Sequence, residues 1–214
     1  GVTVNANYTW SHCISDPWIA MLNGGTGSAA YTNPVNRHFD RGNCSQSATD
    51  RRQVFNLSGV AEVPQFSNSG FRTVLSGWRF SPLVRISSGP YMTATTTTDV
   101  ALSSIATQRV SQVLPDVYGD KTIGKYLNPA AFALPATGTL GNLGNGSFTG
   151  PGTWQFDASL SRTFRIREGQ RVEIRAEAFN LTNSFRMGVP TINFNSSVFG
   201  QVTSALDPRI VQFA

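Results

Sequence analysis

The sequence predicts an all-β fold, an antiparallel meander of about six amphipathic strands with long loops. Three observations carry that expectation. Runs of alternating apolar and polar residues recur along the chain, and strand side chains alternate faces with period two. The connections between these runs are alternately long and short. Only 14% of the residues are charged, against a usual value of about 25%, so Gly, Ser, Thr and Asn supply much of the polar surface.

The first run sets Val2, Val4, Ala6, Tyr8, Trp10 and His12 against Thr3, Asn5, Asn7, Thr9 and Ser11. A loop rich in Gly, Asn and Ser follows from Ser15 to about Thr49. Arg52 to Val63 reads as the second strand, with Phe55 and Leu57 on one face and Asn56 and Ser58 on the other. A short connection holding Pro64 and the turn signal Ser67-Asn68-Ser69-Gly70 leads to a third strand, Thr73 to Ser88. Trp78, Phe80, Val84 and Ile86 alternate along it, and Pro82 marks an edge, a bulge or a bend. About 65 residues then intervene, which predicts either a functional segment or a separate lobe. Within them, threonine-rich Tyr91 to Thr98 could extend the strand beyond the sheet, and Asn128-Pro129-Ala130-Ala131-Phe132 carries the N-cap and proline of one helical turn.

The fourth and fifth strands form a hairpin from Trp154 to Leu181 around Arg167-Glu168-Gly169. Trp154, Phe156, Ala158, Leu160, Phe164 and Ile166 share one face with Val172, Ile174, Ala176 and Ala178, and only Arg162 breaks the apolar series. The other face carries Gln155, Asp157, Ser159, Ser161, Thr163 and Arg165 with Arg171, Glu173, Arg175 and Glu177. Glu173, Arg175 and Glu177 facing Asp157 and Arg165 would make a ladder of opposite charges, and these five are the candidate binding residues. A solvated face is the plainer reading. A last strand, Gln201 to Phe213, is less regular and is interrupted by Pro208.

The order long, short, long, short, long favours an outer-membrane barrel, which keeps short turns on the periplasmic side and long loops outside. Glu62 to Arg72 and Arg167 to Gly169 would then be periplasmic. Six strands cannot close a barrel, because the smallest have about eight, so the chain is expected to form an incomplete piece of one. Such a piece exposes two sheet edges and an oily face. The chain opens at Gly1 inside a strand pattern, without an initiator methionine or a secretory leader, and reads as part of something longer. No apolar run is long enough for a spanning helix.

Chemistry is sparse. The only histidines are His12, read as an interfacial side chain, and His38, which shares a polar loop with Asp40 and Cys44 but falls short of any zinc pattern. Cys13 and Cys44 are disulfide candidates. Pairing would close about 31 residues, two unpaired thiols are the alternative, and the spacing of a single pair does not decide. The net charge of +5 rests on scattered arginines with Lys121 and Lys125, which sets nucleic acid aside as a partner. The Gly-rich run from Gly138 to Gly152 lacks the context of a nucleotide loop and reads as loop structure. Asn180-Leu181-Thr182 fits a glycosylation sequon. No cofactor and no catalysis are expected. Two rival readings are a soluble or cell-surface β-sandwich binding carbohydrate or protein through Trp18, Tyr31, Tyr91 and Tyr118, and a hydrolase using His12 or His38.

Several segments, in order, resemble the C-terminal barrel region of TonB-dependent, Oar-like outer-membrane receptors of the acidobacterial type. They are Asp50-Arg51-Arg52-Gln53-Val54-Phe55-Asn56, Asn128-Pro129-Ala130-Ala131-Phe132 with the Gly-rich stretch after it, Asp157-Ala158-Ser159-Leu160-Ser161-Arg162, Arg175-Ala176-Glu177-Ala178-Phe179-Asn180-Leu181-Thr182-Asn183, and Ser204-Ala205-Leu206-Asp207-Pro208-Arg209. The resemblance implies that residues 1–214 are the C-terminal portion of a barrel whose plug and remaining strands lie outside this chain. It implies a place in the bacterial outer membrane, with membrane lipid, the plug domain of the parent chain and an unidentified solute as partners. Receptors of this kind usually end on an aromatic residue, whereas here Phe213 is followed by Ala214.

Overall fold

A computed structural model of the chain describes residues 1–16, 31–33, 35–45, 50–67, 69–105 and 107–214. Its main element is a six-stranded antiparallel sheet in which every strand pairs with its neighbours in sequence. The strands are β1 (Val2–Trp10), β2 (Gln53–Glu62), β3 (Trp78–Ser87), β4 (Thr153–Arg167), β5 (Gln170–Phe179) and β6 (Ile210–Phe213). The meander is open, with β1 and β6 as its edges.

Register lines up the two faces across the whole sheet. Tyr8 pairs with Phe55, Phe55 with Ile86 and Ile86 with Trp154, while Leu57, Val84 and Phe156 make the next outward row. Ala158, Leu160, Phe164 and Ile174 continue the apolar side on β4 and β5. Asn5, Asn7, Asn56, Ser58, Arg85, Gln155, Ser159 and Glu177 fall on the opposite side. Among the described residues no second sheet covers the apolar face; the other ladders are two-residue pairs within the long connections. Val4, Tyr8, Trp10, Ile166 and Ile174 are each more than half exposed, which a soluble sheet does not tolerate over such an area.

Two boundaries differ from the sequence reading, and Pro82 marks a lapse in the ladder and not an edge. Thr73 to Leu75 is not strand but the end of a short helix, α1 (Ser69–Leu75), closed by Gly77 in the left-handed region at φ +77°. The indole N–H of Trp78 donates to the Val74 carbonyl at 2.9 Å, which ties the helix end to the start of β3. Pro82 lies inside a central strand, opposite Ala158. The ladder between β2 and β3 lapses beside it, at Gly59 and Val60, where proline lacks a donor. The last strand is only β6. Val202 and Ala205 instead bridge to Pro190 and Met187 within the loop, because Val202 is buried in a core outside the sheet.

That core lies in the long connections. Met92, Ala94, Val110, Val117, Tyr126, Leu127, Ala131, Phe132, Leu143 and Phe148 of the second long connection pack with Phe199 and Val202 of the third. Edge-to-face contacts join Phe132 to Phe148 and Phe199, and Phe199 to Phe194. The stretch of 88–152 is therefore a lobe. Its expected helical turn is present as a 3-10 turn over Pro129–Ala131, with the Asn128 side chain accepting from the Ala130 amide at 3.2 Å. Tyr91–Met92 and Thr95–Thr96 do not prolong β3 but pair inside the lobe, with Phe148–Thr149 and Gln108–Arg109.

Candidate functional site

Two regions are candidates for a site: the polar face of the sheet and the lobe formed where the long connections converge. On the polar face the hairpin turns at Gly169, φ +79°, and brings Thr163 opposite Glu173, Ser161 opposite Arg175 and Ser159 opposite Glu177. The expected ladder of opposite charges across the hairpin does not form. A period-two pattern gives the face but not which residue on one strand meets which on the other, and here hydroxyl residues face the charged ones. Arg165 stands directly opposite Arg171, beside a register shift between Arg165 and Arg167. Arg175 and Glu177 pair along their own strand at 3.6 Å, and Gln212 of β6 donates to Glu177.

Asp157 sits apart from this group. Its carboxylate accepts from the Asn180 amide and the Gln155 side chain, each at 2.8 Å, so it anchors the start of the third long connection to the sheet. Asn180, at φ +49° and 1% exposed, closes the junction by exchanging hydrogen bonds with Ser184. Its amide is therefore committed, and the sequon has no accessible acceptor. Two open hollows of about 400 and 480 Å³ lie toward the short-turn end of this face. Glu62, Arg79 and Glu173 line the first, while Gln65, Thr163, Arg165 and Arg171 line the second. Such a surface offers charged and hydrogen-bonding groups to a polar ligand.

The lobe is fastened by groups that sequence reading missed. Asp40, read as part of a solvated loop, is fully buried and pairs with Arg109 at 3.0 Å; the two side chains are 0% and 1% exposed. The second Asp40 oxygen accepts from the Thr32 amide at 2.6 Å, and the guanidinium also donates to the Phe39 carbonyl and lies 4.3 Å from the Phe39 ring. Burial lowers the Arg109 pKa and the Asp40 charge opposes that shift. Asn145 donates to the Asp40 carbonyl and accepts from Ser45 and Thr93. Gly42 and Gly146 allow the first and second connections to touch backbone to backbone. A Cβ on Gly42 would lie 2.2 Å from the Asn145 carbonyl oxygen, and one on Gly146, at φ +58°, 2.5 Å from that of Asn43.

Cys13 and Cys44 are joined in a disulfide, with Cα atoms 5.4 Å apart. His12 lies beyond the end of β1 and bonds through Nε2 to Asn43 at 2.9 Å, so it belongs to this junction and not to the outward aromatic series. Among the described residues no group of three or more His, Cys, Asp or Glu side chains is placed to hold a metal ion. Of the aromatic residues considered as a binding set, Trp18 lies outside the described residues. Tyr31 stacks with Arg37, Tyr91 with Arg52, and Tyr118 bonds to Thr149 inside the lobe, so each is engaged with a neighbour of its own.

An open meander with one bare apolar face, one charged face and long connections gathered at a single end is the wall of a transmembrane barrel. The chain belongs to the family described as outer membrane beta barrel domain, which it matches over residues 1–212, and its place is the bacterial outer membrane. No curated protein and no solved structure matches it.

Proposed function

We propose that this chain is wall and surface lobe of a TonB-dependent transport receptor, and that it takes part in solute uptake without catalysis. The observation that carries this reading is the convergence of the long connections. They pack into a lobe with its own core, disulfide and buried ion pair at one end of a sheet whose polar face bears Arg165, Glu173, Arg175 and Glu177. A passive pore needs no such structure. A receptor that selects a scarce solute benefits from rigid surface loops set above a charged inner wall. The segments that resemble Oar-like receptors support the same conclusion. In this reading the polar face meets the plug domain of the parent chain and the passing solute, and the apolar face meets outer-membrane lipid.

Bilayer conductance tests it without knowledge of the solute. The complete receptor containing this chain, placed in a planar bilayer, should show no steady conductance until a denaturant extracts the plug, since transporters of this class have a filled lumen. A stable open channel from the outset would reject the receptor in favour of a porin.

A further inference from the structure

We infer that Arg162, Trp78 and the Val74 end of α1 form a headgroup site for an anionic phospholipid at the periplasmic edge of the barrel wall. The inference rests on the apolar face meeting lipid. Arg162 is the one charged side chain in the outward series Trp154, Phe156, Ala158, Leu160, Arg162, Phe164, and its neighbours in register, Trp78 and Ile174, are apolar. Its guanidinium lies 4.7 Å from the Phe164 ring centre and 5.7 Å from that of Trp78, and its Nη1 donates to the Val74 carbonyl at 2.9 Å. The Trp78 indole donates to the same carbonyl. One backbone oxygen thus gathers a cation and an amphipathic ring beside Val74 and Leu75, which are 63% and 46% exposed.

Depth explains why a charge is tolerated there. Trp154 and Arg162 are eight residues apart on β4, about 26 Å along the strand and about 20 Å along the membrane normal at a tilt of about 40°. The outward apolar band of such barrels is about 25 Å tall, so rings at Tyr8, Trp10 and Trp154 mark one border and Trp78 the other. Short connections lie at the Trp78 end, which is the periplasmic side, where the leaflet is phospholipid. The stem of Arg162 runs along apolar surface to reach that border, and its planar guanidinium presents several N–H donors there. A guanidinium matches a lipid phosphate in geometry as well as charge, and the exposed Val74 and Leu75 would lie against the first carbons of the acyl chains.

Brominated lipids test this through tryptophan fluorescence. The complete receptor containing this chain, with Trp78 as its only tryptophan after Trp10→Phe, Trp18→Phe, Trp154→Phe and replacement of any tryptophan outside residues 1–214 by Phe, is reconstituted in phosphatidylcholine vesicles containing a minor share of brominated phosphatidylglycerol or of brominated phosphatidylcholine. Phosphatidylglycerol should be enriched about fivefold at Trp78, the factor one cationic side chain near an anionic surface supplies. The preference should vanish in Arg162→Gln and largely persist in Arg162→Lys, with strand content checked by circular dichroism. Equal quenching by both lipids, or a preference unchanged in Arg162→Gln, overturns the site. A companion protein keeping only Trp154 separates the two levels of the argument. If Trp154 is quenched by either lipid while Trp78 shows no preference, the headgroup site fails and the barrel wall stands; if neither tryptophan is quenched, both fail.

Discussion

Replacing Asp40 by alanine should open the lobe while leaving the sheet in place. The substitution removes the carboxylate that faces the Arg109 guanidinium at 1% exposure, and removing one member of a buried pair costs about 3–5 kcal/mol. It also strips the Thr32 amide of its acceptor, in a residue only 5% exposed, at a further cost of about 1–3 kcal/mol. Losses of that size rival the whole stability of a small packed unit. The Phe39 carbonyl still accepts from Arg109 and limits the damage. Native-state hydrogen exchange of the chain in detergent is the appropriate assay, because it reports the lobe amides separately from those of β2 to β5. Amides of Val110 and Leu143, which bond to carbonyls within the lobe, should lose protection by two orders of magnitude or more, on the basis of about 1.4 kcal/mol for each factor of ten. The double substitution Asp40→Leu with Arg109→Met should recover the part due to the buried charge, while the Thr32 amide still lacks its acceptor. Protection in Asp40→Ala within a factor of about five of the parent would refute the reasoning, because about 1 kcal/mol is what an exposed ion pair gives.

Other consequences can be measured alongside. Reducing the Cys13–Cys44 bond, which links residues 31 apart, should lower stability by about 3.5–4 kcal/mol on the chain-entropy account, read as a shift in denaturant midpoint. Burial first, and then the neighbouring Tyr118, push the Tyr126 hydroxyl up to about 12 from 10.0. Its contribution to stability is therefore whole below pH 10 and is lost as pH rises toward 12; Tyr126→Phe should remove that alkaline loss in a spectrophotometric titration. The Ser103 amide, followed by other bonds from Ser104 and Gln108, holds the Asp99 carboxyl below its usual 3.8, so the support it gives is present above pH 3.8 and fades in stronger acid. Exchange of the Ser103 and Ser104 amides should accelerate in that range, and in Asp99→Asn at neutral pH. Leu160→Arg on the lipid side should cost about 2–4 kcal/mol in refolding equilibria with vesicles, whereas Thr163→Arg on the lumen side should cost little.

The faces of the sheet were legible in the sequence because period-two alternation is a local property, and the faces from Trp154 to Ile174 are the same in the structure as in the pattern. Strand order was legible through connection length, since short links force neighbours to be antiparallel. What escaped was everything the long connections do. Asp40 meets Arg109 across 69 residues, Thr96 meets Asn195 across 99, and Asn145 meets Asp40 across 105, and no local pattern encodes such partners. Val202 carried a strand signal but was claimed by the lobe core, and Thr73 to Leu75 lost theirs to a helix that ends at Leu75, just before Gly77 turns the chain. The charged face was legible as a face. Its pairing was not, because register depends on the two-residue turn and the shift beside Arg165.

The distribution of packing between sheet and lobe couples parts of the chain that the sheet leaves apart. The strands keep their apolar face bare, so on that side membrane lipid is their cover. The core of the lobe is built from two connections at once, Phe132 and Phe148 from one and Phe199 and Val202 from another, while Asp40 of the first connection is tied to it through Arg109. Hairpins that otherwise touch only along neighbouring strands are thus bound together a second time at one end, and a disturbance in any one connection is felt by the other two.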